Sequence, residues 1–279
     1  MLKIKKIILF ILDSIKRFLF LNNLNKNELN GFITPLTKFR LFPNTRVTVP
    51  YSLGRTVRGV SFDKNLKFDP AGRLCNDISI GLDDKKIANN LSTVLYEQKN
   101  MSAADILNLT NNKNLQKYPA WSAVMPWEKI TIEEMFESYP ETFYKNRHSR
   151  GLIFENRERK SIIKMMYSSR FIENRVGQMK ELYESIKSKG VIKDSNLPKV
   201  NILVKDNEWR WFMGDGGNHR SYILSYLNHD FFAARISLII NKNEVIKWHN
   251  VKNGTYSVDE ANEIFDCYFE ATKVFRGMV

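Results

Sequence analysis

The chain has 279 residues, is 43% hydrophobic and carries a formal net charge of +13. That length and apolar content are enough to bury a substantial core in one large domain or two, which excludes a disordered chain. Cys75 and Cys267 lie far apart without CxxC or Cys/His ligand spacing, which excludes a zinc module and a disulfide framework and fits a reducing, cytoplasmic compartment.

The basic excess is N-terminal. Residues 1–60 hold eleven Lys/Arg against Asp13 and Glu28 alone, whereas residues 61–165 and 166–279 each hold sixteen against fourteen. Projected at about 100° per residue, Ile4, Ile7, Ile8, Ile11, Leu12, Ile15, Phe18 and Leu19 share one face, with Lys6, Asp13 and Arg17 opposite. The apolar run from Ile7 to Leu12 is far below the roughly 20 residues that span a bilayer. Asp13, Lys16 and Arg17 follow it with no small-residue cleavage site, so a secretory signal is a poor fit. Residues 1–21 therefore suit an anionic membrane surface, peripheral on the inner face. Packing on the rest of the chain, or on a second copy in a homodimer, explains the same amphipathicity.

An Asn-rich connector, LNNLNKNELNG, separates this helix from a mixed α/β region at residues 31–165. Residues 31–80 predict short strands and turns, as in TRVTVPYSL. Helical spacing follows at Ala88–Glu97 and Ala103–Leu109, and Thr131 with Glu134 has capping-box spacing ahead of a helix over Thr131–Ser138. The run YPAWSAVMPWEK offers Trp121 and Trp127 as an aromatic wall for a base or sugar, or as a buried connector. In YKNRHSRG, Arg147, His148 and Arg150 could grip a phosphate or form a solvated basic loop. No helix-spaced metal cluster involves His229 or His249.

A C-terminal unit, residues 166–279, has a more regular order. The turn SSRFIEN precedes a helix at Val176–Lys189, closed by Gly190 as C-cap. Strands at Val200–Lys205 and Trp209–Met213 follow, then the glycine loop, a helix at Asn218–Leu227, a strand at Phe232–Ile240 and a last helix from Val258 to Phe275. The loop GDGGNHR carries the chemistry. Glycines at a helix start free backbone N–H groups, and Arg220 adds positive charge beside the helix dipole, a combination that suits phosphate. Gly214, Gly216 and Gly217 also permit a tight strand-to-helix turn, and Asn218 is a good N-cap.

The α-β-β-loop-α-β order, with LYESIKSKGV ahead of VNILVKDNEWRWFMGDGGNHRSYILSYLNHDFFAARISLII, resembles the ParB/sulfiredoxin superfamily over about residues 168–242. The fold so implied is α+β, a C-terminal ParB/sulfiredoxin-like α-β-β-α-β module preceded by the mixed α/β region and the amphipathic first helix. The resemblance implies a nucleotide, ATP or CTP, held by Gly214, Gly216, Gly217, Asn218, His219, Arg220 and Ser221, with Arg170 facing the same site. Sulfiredoxin chemistry needs a cysteine where Asn218 stands. The partition proteins' Glu-Asn-x-x-Arg box does not follow Arg220; Glu155-Asn156-Arg157-Glu158-Arg159 has the spacing but lies upstream, and Glu173-Asn174-Arg175 lacks the spacing. The kinase branch, with Asp-Gly-x-His-Arg, is similar to Asp215-Gly216-Gly217-Asn218-His219-Arg220 with one residue added. It implies Asp215 as Mg²⁺ ligand or catalytic acid and His219 as a catalytic partner.

The expected function is a nucleotide-dependent phosphotransferase, acting on a small hydroxylated or membrane-linked substrate at the cytoplasmic membrane surface. A ParB-like DNA-binding or nuclease protein is the alternative, weakened because the C-terminal unit holds little excess charge for a nucleic-acid partner. A non-catalytic scaffold is the third.

Overall fold

The computed structural model describes residues 46–62, 69–190, 197–206, 208–214 and 216–272. The amphipathic segment 1–21, its connector and Asp215 lie outside these. The chain is α+β, with helices packed about one five-stranded sheet. No helix among the described residues is long and apolar enough to cross a membrane.

The sheet is built on three strands from the C-terminal segment. β3 (Lys199–Lys205) and β4 (Glu208–Met213) form an antiparallel hairpin, and β5 (Phe231–Asn241) runs parallel to β3 after a helical crossover. Sequence alternation sets the faces: Trp209 and Trp211 bury one side of β4 while Arg210 points away and lies over the Phe269 ring. The edges come from far upstream. β1 (Arg46–Pro50) pairs antiparallel with the first half of β5, and β2 (Gly54–Arg55) pairs parallel with β4, giving the order β1-β5-β3-β4-β2. Gly54 is needed at this edge, because a Cβ there would lie 2.5 Å from the Trp211 ring.

Helices cover both faces. On one side lie α1 (Pro70–Ser79), α2 (Asp84–Lys99) and α6 (Ser169–Lys189), whose apolar stripes merge with Val200, Ile202, Trp209 and Trp211 in one core. The other side is closed by α3 (Ala103–Ile106), α8 (His249–Lys252) and α9 (Val258–Glu270), packed on Leu203, Phe212 and Ile240. Asn250 pins this second core. Its side-chain amide donates to the carbonyls of Met125, Glu128 and Ile130 at 3.0–3.1 Å.

Start signals in the sequence become real caps. Thr131 and Glu134 exchange both bonds of a capping box, at 3.2 and 2.9 Å, and Ser257 with Glu260 does the same for α9. Several boundaries fall elsewhere than expected: α3 stops at Ile106 and α9 at Glu270, short of Leu109 and Phe275. α4 (Ile132–His148) runs straight through Pro140 and takes in the basic run predicted as a loop. Pro140 has no N–H for the carbonyl of Phe136; the Arg159 guanidinium supplies the missing donor at 2.6 Å while lying over the Phe136 ring and pairing with Glu137. That guanidinium projects from α5 (Arg159–Met165), so the repair also docks the next helix. Similarly, α6 begins at Ser169, because the Ser168 hydroxyl caps the Phe171 N–H, and the predicted SSRFIEN turn becomes its first turns.

α7 (Asn218–Tyr226) starts from Gly217, at φ +80°, rather than from a capping Asn218 side chain. A Cβ on Gly217 would lie 2.2 Å from that of Pro198, and any side chain would also be strained by the positive φ. Gly217→Ala is expected to cost roughly 2–4 kcal/mol in urea unfolding, while Gly216→Ala, with open space around it, costs less. Equal stabilities for the two variants would contradict this assignment.

Candidate functional site

A cavity of about 450 Å³ opens where α7 meets α1, α2, α4 and α6. This is within the size range of small-molecule sites. Three arginines, Arg58, Arg147 and Arg175, reach its wall from three different elements, together with His219. Asp69 is the single carboxylate among the described lining residues. It already accepts from the N–H groups of Ala71 and Gly72 at the start of α1 and lies 3.5 Å from Arg58 Nε.

Arg175 and His219 are in direct contact. Arg175 Nη2 meets His219 Nε2, and since a guanidinium can only donate, the imidazole nitrogen accepts and the ring is neutral. Burial, then the charges of Arg175, Arg147 and Arg150, hold His219 down at about 3. Burial likewise pulls Arg175 down to about 9, assisted by Arg147 and Arg150. Arg147 is lowered too, first by burial and then by Arg150.

Arg147 comes from the last turn of α4 and passes the rings of Phe143 and Phe171, 5.8 and 5.5 Å from their centroids. Its Nε and Nη1 are buried without any hydrogen-bond partner. So is Asn218 Oδ1, at the first turn of α7. Buried, unmatched donors of a charged group are costly, and an anion with several acceptor oxygens is the ligand that satisfies them. Trp121, Tyr139, Tyr167 and Tyr222 add ring surface to the same wall. Tyr139 is raised by its burial, an effect opposed by Arg147, Arg175 and Arg58, which places this phenol among all three cations.

The residues expected from sequence separate into groups. His219 and Asn218 line the cavity, and Gly217 fixes the turn that presents them. The Gly214 N–H is spent on the carbonyl of Lys199 at 2.8 Å, and Gly216 is exposed at φ +77°. Ser221 is fully buried; its hydroxyl donates to the Asn218 carbonyl at 2.7 Å, so it serves the helix. Arg220 is half-buried and Arg170 exposed, and neither is among the lining residues. Asp215, expected to act in catalysis and to hold Mg²⁺, lies outside the described residues. Among those that are described, no group of three or more His, Cys, Asp or Glu is placed to hold a metal ion. Trp121 lines the cavity, whereas Trp127 is buried against Trp248 and Phe265 in the second core. Arg147 is in the wall; His148 stacks on Tyr144 at the surface.

Gln98 is absent from the sequence reading, Arg175 enters it only in Glu173-Asn174-Arg175, set aside for its spacing, and Arg58 only as part of the N-terminal basic excess. A signal existed for two of them. Arg175 is three residues after Ile172 and four before Met179, on the stripe that α6 buries, and Gln98 ends the buried series Ile87, Leu91, Val94 of α2. A polar residue inside an apolar stripe marks a built site.

His219 gives the cavity a pH signature. Its folded value is depressed below the unfolded 6.5, so the unfolded chain binds the proton first and stability present above pH 6.5 is lost as pH falls toward about 3. In urea unfolding between pH 7 and 4, His219→Gln is expected to lose stability less steeply than the unsubstituted protein. Identical slopes would show that His219 titrates normally.

No protein-family model matches this chain, and no curated protein or solved structure matches it either.

Proposed function

We propose that this protein is a nucleotide-dependent phosphotransferase of ParB/sulfiredoxin-like fold, with a ligand phosphate held by Arg147, Arg175 and the start of α7. The observation that carries the reading is the Arg147 guanidinium, two of whose N–H donors are buried and unpartnered beside Arg175 and His219. Three cations face one paired carboxylate, and that imbalance suits the multiple charges of a phosphate group. The aromatic wall beside it suits a base. A helix N-terminus adds oriented N–H dipoles at no cost in reorganisation.

Guanidinium groups held in place before the ligand arrives stabilise charge that builds on a transferred phosphoryl group. In this reading Asp215 either holds Mg²⁺ or accepts the proton of the acceptor hydroxyl, as the Asp-Gly-Gly-Asn-His-Arg loop suggests. The ParB-like DNA-binding alternative is less well supported. Its phosphates would have to reach arginines that line an inward cavity, whereas a duplex backbone is met by an outward basic face. Attachment of residues 1–21 to an anionic membrane, bringing the enzyme to a membrane-linked acceptor, belongs to the same proposal.

Mg-ATP, Mg-CTP or Mg-GTP, together with inorganic phosphate, is expected to raise the melting temperature. Arg147→Met should weaken binding about 10- to 100-fold without lowering the stability of the unliganded protein, since Nε and Nη1 have no hydrogen-bond partner there and the methionine chain keeps apolar contact with Phe143 and Phe171. Asp215→Asn should retain binding and lose phosphoryl transfer. No stabilisation by any of these ligands at millimolar concentration would overturn the reading.

A further inference from the structure

The cavity holds a second unmatched group, on a different helix. Gln98, at the last turn of α2, is 7% exposed, and its amide Nε2 has no hydrogen-bond partner. Its orientation is fixed. Arg58 Nη2 donates to Gln98 Oε1 at 2.8 Å, and because a guanidinium has no acceptor, the amide oxygen must face it. Arg58 is itself held, with Nε 3.5 Å from Asp69 Oδ2 and its backbone N–H donating to Thr56 Oγ1 at 3.2 Å. Asp69 in turn is fixed by capping α1. A chain of three buried or half-buried side chains thus presents one amide N–H₂ as a donor, with no freedom to turn and become an acceptor.

We propose that Gln98 is a specificity-determining residue, which reads a carbonyl oxygen on the ring of a phosphorylated ligand. The inference rests on the phosphate site proposed above and adds the chemical character of the ligand's other part. Trp121, Tyr139 and Tyr167 line the cavity around that part with aromatic rings. The Trp121 ring is held in place by stacking on Phe136 at 5.5 Å, with 9° between planes, and on Tyr139 at 5.6 Å, with 21°. A ring that turns an amino group toward Gln98 would bring donor against donor and leave both buried and unsatisfied. A ring that turns a carbonyl there satisfies Nε2, so the site favours carbonyl-bearing bases over their amino-bearing counterparts.

The test compares matched pairs on the full-length protein by calorimetry: uridine against cytidine 5′-monophosphate, and inosine against adenosine 5′-monophosphate, with inorganic phosphate as the common reference. In the unsubstituted protein the carbonyl-bearing member of at least one pair should bind about tenfold more tightly than its amino-bearing counterpart. Gln98→Glu keeps the shape and the bond from Arg58 but replaces the donor with an acceptor, so the preference within that pair should reverse. The uniform effect of the added charge on phosphate cancels in the ratio. An unchanged ratio in Gln98→Glu, or no preference within either pair, overturns the assignment of Gln98 while phosphate binding leaves the anion site standing. If neither phosphate nor any nucleotide binds, the anion site itself is wrong and this inference falls with it.

Discussion

Positive charge gathered inside a cavity, with too little negative charge to match it, is the constraint that organises this protein. Burial and then the charges of Arg147 and Arg150 make Arg175 costly to ionise, and burial followed by Arg175 and Arg147 leaves His219 without its proton. Desolvation works in the same direction on Arg147. Folding has to supply the free energy that keeps them together, and it does so through the apolar stripes of α2 and α6 and the sheet beneath them. The neutral imidazole is part of the solution, since it accepts a bond from Arg175 where a charged one would repel it.

Each cation is held by a local device that has little to do with charge. Arg147 reaches the wall only because α4 survives Pro140, and it survives because Arg159 takes over the bond that proline cannot make. Arg58 sits in a turn closed by the Gly59 N–H, which donates to the Thr56 carbonyl at 3.0 Å, with Gly59 at φ +75° where a Cβ would lie 3.0 Å from the Tyr268 ring. His219 depends on Gly217, where Pro198 leaves no room for a Cβ. The site is therefore sensitive to residues that carry no chemistry of their own.

Much of the C-terminal segment was legible in sequence because its signals are local. The strands β3 and β4 and the Gly190 stop, like the Thr131 capping box upstream, each depend on neighbours a few residues apart. The upstream strands were legible only as strands. Nothing in TRVTVPYSL says that it lies beside β5, since pairing is decided by faces buried far along the chain. The site was half legible for the same reason: His219 and Asn218 belong to a local motif, while Arg58, Gln98 and Arg175 become neighbours through packing. α4 was misjudged at Pro140 because its repair comes from Arg159, on another helix.

The sheet's edges also govern when the molecule can be complete. β1 pairs with β5 across most of the chain, Val47 with Ala234 and Pro50 with Phe231. Arg55, on β2 at the opposite edge of the sheet, donates to the carbonyls of Tyr268 and Phe269 at the end of α9. Both closures join the beginning of the described chain to its end, which makes the fold one of high contact order and slow assembly. A ribosome delivers β1 and β2 long before β5 and α9 exist. β1 waits with an open edge until β5 exists, so the growing polypeptide is exposed to mispairing in the interval before the segment from Phe231 onward emerges.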